Sequence, residues 1–406
     1  MTTKGDRMAQ HRFFDDEGFE FMALITLGSA PYRLSEAGEV FATTDKITNA
    51  DPDSWFDEWM ATAHRVRKIA EGAEAAGHIA SARDAYLRAA NYSASAFFYV
   101  LATKDPSREL ATWRWHRECF DHAMRLWPTP VEHISIPYEG THLHGYFWSA
   151  GPERRPTIIL NNGSDGPVSD MLEMGVVDAL ARGYHAMTFD GPGQGRALYE
   201  QKMYFRYDWE AVITPVVDFL IKRPDVDPAK LVLAGNSQGG YWVPRAAAFE
   251  HRLAAIVADP GVVDVRTSWT GKLPAQMLQL LDANQDAQFD QIMTQIEDAS
   301  SEVRTSLTKR IEPYGLPTLS AVLHELDKWN LTDVAGKITC PTLITDPEDE
   351  QFWPGQSQQL FDLITAPGKE ITHFTATEGA NWHCEPMAPQ VRGQRIFDWI
   401  DTVLQA

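Results

Sequence analysis

The chain is predicted to be an α/β protein: an eight-stranded, mostly parallel sheet, with a helical domain ahead of it and a helical cap inserted within it. Three observations carry this reading. From residue 131 onward, eight short apolar runs alternate with amphipathic segments. Before that point, apolar residues recur at helix spacing. About eighty residues part the sixth run from the seventh. Short apolar strands separated by helices imply parallel pairing with both sheet faces covered. The 406 residues also exceed one typical domain of roughly 100–150, so an addition to the sheet domain is expected.

The elements follow in order. Residues 55–76 place Trp55, Trp59, Met60, Ala63, Val66, Ile69 and Ala70 on one helix face. Gly77-His78 breaks the run, and 78–101 continues it with small residues that allow close helix packing. A third helix is expected over 107–126. Trp127-Pro-Thr-Pro130 ends the helical part, because proline stops helices and favours extended neighbours. Residues 131–136 and 143–148 read as a hairpin around Glu139-Gly140-Thr141. Strands are then expected at 157–160, 185–189, 231–234, 255–258, 342–345 and 370–374, with helices at 170–181 and 209–221. Further helices fall at 274–281, 287–296 and 318–329. The expected domains are residues 1–127, helical and lid-like, and 128–406, the sheet domain with its insertion at 261–337. So long an insertion is unlike a mere connection, and the expected place for it is over the strand ends, where ligands bind in open α/β sheets.

Composition narrows the function. A formal charge of −20, from 36 basic and 56 acidic residues, argues against nucleic acid or an anionic membrane as partner. No stretch approaches the roughly 18 apolar residues of a membrane span. The first eighteen residues lack the apolar core of a secretory signal. Cys119, Cys340 and Cys384 are scattered and show no paired spacing, so a disulfide framework or zinc site is not expected and a cytoplasmic location is. No metal or cofactor motif is present. The expected partner is a small-molecule substrate, with homodimerisation left open.

The most informative segment is Leu231-Val-Leu-Ala-Gly-Asn-Ser237-Gln-Gly-Gly240. An apolar strand runs through G-x-S-x-G into a helix. A serine on such a sharp turn sits in strained backbone, its neighbours must be small, and its hydroxyl stands above the sheet. Serine is a weak nucleophile and needs a base. His383, in Gly379-Ala-Asn-Trp-His-Cys-Glu, lies on a loop after the last strand. His373 sits inside that strand. Behind the 342–345 strand, Asp346, Glu348, Asp349 and Glu350 are all available as the acid.

These residues resemble the α/β-hydrolase superfamily. Within it they resemble the branch with a helical N-terminal domain that includes 2,6-dihydroxypseudooxynicotine hydrolase and the fungal hydrolases that shorten heptaketides in melanin pathways. The helical stretch 55–126, Phe189-Asp-Gly-Pro-Gly-Gln-Gly195, Arg206-Tyr-Asp-Trp-Glu210, the elbow and Glu378-Gly-Ala…His383 carry the likeness. The resemblance implies the order Ser…acid…His, hence Ser237 as nucleophile and His383 as base. Laying Pro341 and Pro354 on the two prolines of the family's acid loop puts Glu350 at the acid, where aspartate is usual, with Asp349 as its rival. It further implies an oxyanion hole from the amides of Gln238 and, in Asn161-Asn-Gly-Ser164, of Ser164, with Gly163 as the alternative. Gly191-Pro-Gly-Gln-Gly195 is read as a structural turn supporting the elbow. Tyr241, Trp242, Trp353 and Trp382 flank the catalytic loops as candidate substrate contacts. The expected activity is serine hydrolysis of an acyl bond, a C–C bond beside a ketone in a small aromatic or polyketide-like substrate. The alternatives are a carboxylesterase or thioesterase, an acyl-transferring cyclase, and a non-catalytic binding protein of the same fold. The helical segment and the insertion are expected to roof the site.

Overall fold

A computed structural model describes residues 13–405, apart from 272 and 300. It divides into two compact units, Met1–Pro128 and Thr129–Ala406.

The first unit is helical. Its helices are α1 (Glu17–Gly28), α2 (Ala37–Thr44), α3 (Pro52–Ala75), α4 (Ile79–Phe98) and α5 (Glu109–Arg125). Asp51 caps α3 by accepting from the amides of Asp53 and Ser54, and Pro52 occupies the first turn, where its missing N–H costs nothing. Helix α4 packs against both α3 and α5. Ala82, Ala85, Ala89, Ala90, Ser93 and Ala96 are buried along it, which lets the neighbouring backbones approach closely. Trp55 and Trp59 are fully buried within this unit, among Phe14, Phe19, Tyr92 and Tyr99, and the Trp55 indole donates to Ser95 O. The half-buried Trp115 meets His64 edge-on, with Arg67 over its ring. Helices α1 and α2 lie ahead of the three that periodicity picks out.

The second unit holds an eight-stranded sheet. Its strands are β1 (Val131–Tyr138), β2 (Thr141–Trp148), β3 (Arg155–Asn161), β4 (His185–Phe189), β5 (Val226–Asn236), β6 (Ala255–Asp259), β7 (Thr342–Pro347) and β8 (Lys369–Phe374). The spatial order is β1-β2-β4-β3-β5-β6-β7-β8, and only the β1/β2 and β2/β4 pairs are antiparallel. The β1–β2 hairpin turns at Glu139 and Gly140, both with positive φ, as a tight hairpin requires. Strands β4 and β6 are buried at every position, which explains their largely apolar sequence.

Between β3 and β4 the expected single helix is broken. A π-turn over Leu172–Val176 precedes a short α6 (Val177–Ala181), and Gly175 stands at φ +156°. A Cβ there would press on Leu160 and Phe397. Periodicity does not register so close an approach. Helices α7 (Gly195–Tyr199), α8 (Glu210–Leu220) and α9 (Gly239–Ala247) follow.

The segment between β6 and β7 carries α10 (Thr267–Thr270), α11 (Ala275–Asp282), α12 (Asp286–Ala299), α13 (Ser301–Ile311) and α14 (Leu319–Glu325). It is pinned at its base, where Leu331 N–H donates to Val263 O and Val265 N–H to Trp329 O. Its polar α13 carries too weak an apolar stripe to be read from sequence. Helices α15 (Gln356–Leu363) and α16 (Pro389–Gln405) complete the chain.

Parallel register aligns the C-terminal ends of five strands. Asn161 pairs with Gly235, Asn236 with Asp259, and Asp346 with His373. The loops after β3, β5, β7 and β8 therefore emerge along one edge. The order reverses at β3, flanked by β4 and β5, which is where open α/β sheets bind ligands.

Candidate active site

Strand β5 ends at Asn236 and α9 begins at Gly239, so Ser237 and Gln238 make the whole turn. Ser237 is held at φ +55°, in a region that costs a side-chain-bearing residue about 1–2 kcal/mol. The backbone fixes it there. Ser237 N–H donates to Asp259 O at 2.6 Å, and Gly240 N–H donates to Ser237 O at 2.8 Å. The flanking glycines are steric requirements: a Cβ on Gly235 would lie 2.6 Å from Gly239 O, and one on Gly240 would overlap Pro260 O.

Ser237 Oγ lies 2.9 Å from His383 Nε2, and His383 Nδ1 lies 2.8 Å from Glu350 Oε2. A carboxylate only accepts, so the Nδ1 proton faces Glu350 and Nε2 is left to accept from the serine hydroxyl. The other Glu350 oxygen accepts from the amides of Phe352 and Trp353 at 2.8 and 3.0 Å. Gln351 receives the His383 amide at 3.0 Å and so ties the two loops together. The remaining acids are occupied elsewhere. Asp349 is bound to Asn381 through both backbone and side chain, Glu348 accepts from Ala376 N–H, and Asp346 pairs with the exposed His373.

Burial favours a neutral His383, but the Glu350 carboxylate, with smaller help from Asp259 and Asp165, outweighs it and raises the imidazole above its ordinary value. Burial likewise works against an ionised Glu350. The facing His383 and the two backbone amides prevail and hold its carboxyl below the usual range.

The loop after β3 meets the elbow closely: a Cβ on Gly163 would lie 2.8 Å from Ser237 Cβ. Gly163 N–H already donates to Asn162 Oδ1 at 2.7 Å. Gln194 braces this loop, its amide nitrogen donating to Asn162 O and Gly163 O at 2.8 and 2.7 Å while its oxygen receives Gly191 N–H. The glycine-rich turn was legible as a support; the bracing by its glutamine side chain was not.

The four aromatic candidates separate. Trp353 lies against His383, with ring centres 5.8 Å apart, and donates to Val265 O. Trp382, next in the chain to His383, is half-buried. Tyr241 and Trp242 are fully buried and stack on Trp329 and Trp209, so they serve the core rather than the crevice. On a helix directly after the elbow, period 3.6 gives no sign of which side a ring takes. Sequence reading also passed over Phe352, 40% exposed with its ring 4.6 Å from His383; its position two residues after Glu350 was the available signal.

An elbow serine on a mostly parallel eight-stranded sheet defines the class of α/β hydrolases. The chain belongs to the alpha/beta hydrolase family, whose model matches residues 142–390. It is 30% identical to Hydrolase LUC6 of a Fusarium species, over 96% of this chain and 97% of that one. It is 29% identical to the 20-hydroxy-prefusarin hydrolase FUS2 of Gibberella moniliformis, over 97% and 98%. Its fold is similar to that of crystalline 2,6-dihydroxy-pseudo-oxynicotine hydrolase, with a TM-score of 0.73 at 22% identity, covering 93% of this chain and 95% of that one. Among the described residues, no helix is long and apolar enough to cross a membrane.

Proposed function

We propose that this protein is a serine hydrolase that cleaves an acyl bond, with Ser237 as nucleophile, His383 as general base and acid, and Glu350 as the carboxylate that orients and charges the imidazole. The observation that carries this is the continuous hydrogen-bonded path Ser237 Oγ–His383 Nε2, His383 Nδ1–Glu350 Oε2. Ser237 Oγ adds to the substrate carbonyl carbon while its proton passes to His383 Nε2. The amides of Gln238 and Ser164 receive the developing oxyanion. Collapse of the tetrahedral adduct breaks the bond to the leaving group, which takes the proton from His383. Water then adds to the acyl-enzyme, gives its proton to the same nitrogen, and releases the acid and Ser237.

The preferred substrate is a small aromatic or polyketide-like ketone, cleaved at the C–C bond beside the carbonyl, where the leaving carbanion is delocalised as an enolate. Similarity over nearly the whole chain to a fungal 20-hydroxy-prefusarin hydrolase supports a substrate of this kind. A fluorophosphonate probe tests the chemistry. It is expected to label wild-type protein and to leave the Ser237→Ala variant unlabelled; labelling elsewhere, or none, overturns the reading. Incubation with matched β-diketones and aryl esters then separates C–C hydrolysis from esterase activity by the products released.

A further inference from the structure

Three side chains near the elbow have polar groups that the mechanism does not use. Arg310, at the end of α13, lays its guanidinium 3.9 Å over the ring of Trp269. Of its five N–H donors, one nitrogen makes two long contacts, 3.3 Å to Ser268 Oγ and 3.5 Å to Ser268 O. No carboxylate lies within ion-pair distance of it among the described residues. Asp165, beside Ser164, is near enough for the two charges to interact without pairing. Arg310 is half-buried, and burial, the largest influence, lowers the pKa of its guanidinium below the ordinary range. A cation so placed lacks an anion.

The second and third groups face the same region. Tyr314, four residues on, is 6% exposed and meets Trp269 edge-on, at 5.8 Å between ring centres. Gln238, the residue after the nucleophile, is 4% exposed. Tyr314 Oη lies near both Gln238 Nε2 and the Trp269 side chain but short of hydrogen-bond geometry to either, and neither Tyr314 Oη nor Gln238 Nε2 has a partner among the described residues. Buried donors left open in this way are expensive unless something else fills them. Trp269 links Arg310 to Tyr314, and Gln238 links Tyr314 to the reacting serine. A cation and two neutral donors thus follow one another from Trp269 to Gln238, the residue next to Ser237.

We propose that Arg310, Tyr314 and Gln238 form a recognition edge for an ionised oxygen of the substrate, so that the compounds hydrolysed carry an enolate, phenolate or carboxylate in addition to the scissile carbonyl. This rests on the hydrolase reading and deepens it. The charge of Arg310 selects the anion, while the Tyr314 hydroxyl and the Gln238 amide orient it. The shared chemistry of the three anions is one oxygen bearing negative charge.

A matched pair of esters tests it: 4-acetoxybenzoate, an anion, and 4-acetoxybenzamide, its neutral analogue of the same size. The readout is the ratio of kcat/KM for anion over amide, measured on the full chain. Arg310→Met is expected to lower this ratio at least tenfold, chiefly through KM, and Arg310→Lys to restore most of it. Tyr314→Phe is expected to lower it about threefold. A ratio within twofold of wild type in Arg310→Met, or equal losses on both esters, would make Arg310 a prop for α13 and overturn the proposal. Calorimetry on Ser237→Ala protein supplies an arm that needs no turnover. There 4-hydroxybenzoate is expected to bind at least tenfold more tightly than 4-hydroxybenzamide, and to lose that preference when Arg310→Met is added. If wild type hydrolyses neither ester, the hydrolase reading fails, and the calorimetric preference alone decides whether the recognition edge stands.

Discussion

At the scale of residues, the candidate triad depends on one carboxylate and one strained serine. Ser237→Ala removes a hydroxyl and little volume, so turnover is expected to fall on the order of 10³-fold or more with the melting temperature essentially unchanged. A residual rate within tenfold of wild type, in protein free of contaminating hydrolase, would contradict the mechanism. Glu350 and Asp349 are neighbours with different partners, His383 for one and Asn381 for the other. Glu350→Gln is therefore expected to cost roughly 10³–10⁴-fold in kcat, as loss of a triad carboxylate does, and Asp349→Asn far less. Steady-state kinetics on the two variants decides it, and the reverse ranking would move the acid by one residue. The sign of the pH dependence also follows. His383 must be neutral to accept the serine proton, and its pKa is raised, so the acid limb of kcat/KM is expected above the ordinary histidine value of about 6.5. In Glu350→Gln the surviving activity should show that limb shifted to lower pH, because the anion that supports the imidazolium is gone.

At the scale of elements, the loop after β3 is positioned by hydrogen bonds from a turn thirty residues away. Gln194→Ala deletes two bonds to the carbonyls of Asn162 and Gly163 and one from Gly191 N–H. The buried groups left unpaired are expected to cost about 1–3 kcal/mol each at most, partly offset by water. The chain should lose a few degrees in thermal melting and about tenfold in kcat, with KM less affected, because the amide of Ser164 would no longer be held in place. An unchanged kcat would show that this loop does not serve the reaction. Element limits were largely legible: the hairpin, the strands and α9 lie within a few residues of where pattern places them. The break at Gly175 and the polar α13 were not, because one depends on contact with Phe397 and the other carries only a weak apolar stripe.

At the scale of the whole molecule, the helical unit supplies its own core. Trp55 and Trp59 need no outside surface, since they fill the core of the helical unit itself. The expectation that this unit selects substrate is testable without them: a chain beginning at Thr129 should lose discrimination among bulky esters while keeping some activity on small activated ones. Equal selectivity with and without the helices would discard it. The sheet unit also buries a carboxyl close to Asp259. Glu385 is fully buried with both oxygens unpartnered among the described residues, and burial, followed by the nearby Asp259, pushes its carboxyl well above the usual range. A raised folded-state pKa means that the native chain binds more protons than the unfolded one over that interval. Glu385 thus favours the fold at pH below the ordinary carboxyl value, and that contribution is lost as pH rises through its folded-state pKa. Melting curves of Glu385→Gln should accordingly lose less stability than wild type between acid and alkaline pH. A parallel dependence in both proteins would show that Glu385 ionises freely.

What the sequence determined by itself was local or periodic: the alternation that makes a parallel sheet and the glycines that only a sharp elbow needs. Each is written in neighbouring residues, where sterics act over a few bonds. What tertiary structure decided was which side chains meet across the fold. Tyr241 and Trp242 went to the core and Phe352 came to His383, Gln194 braced a loop thirty residues before it, and Arg310 was left beside Trp269 without an anion. Such meetings depend on strand register and helix rotation, set by packing of the whole sheet unit, and no window of sequence contains them.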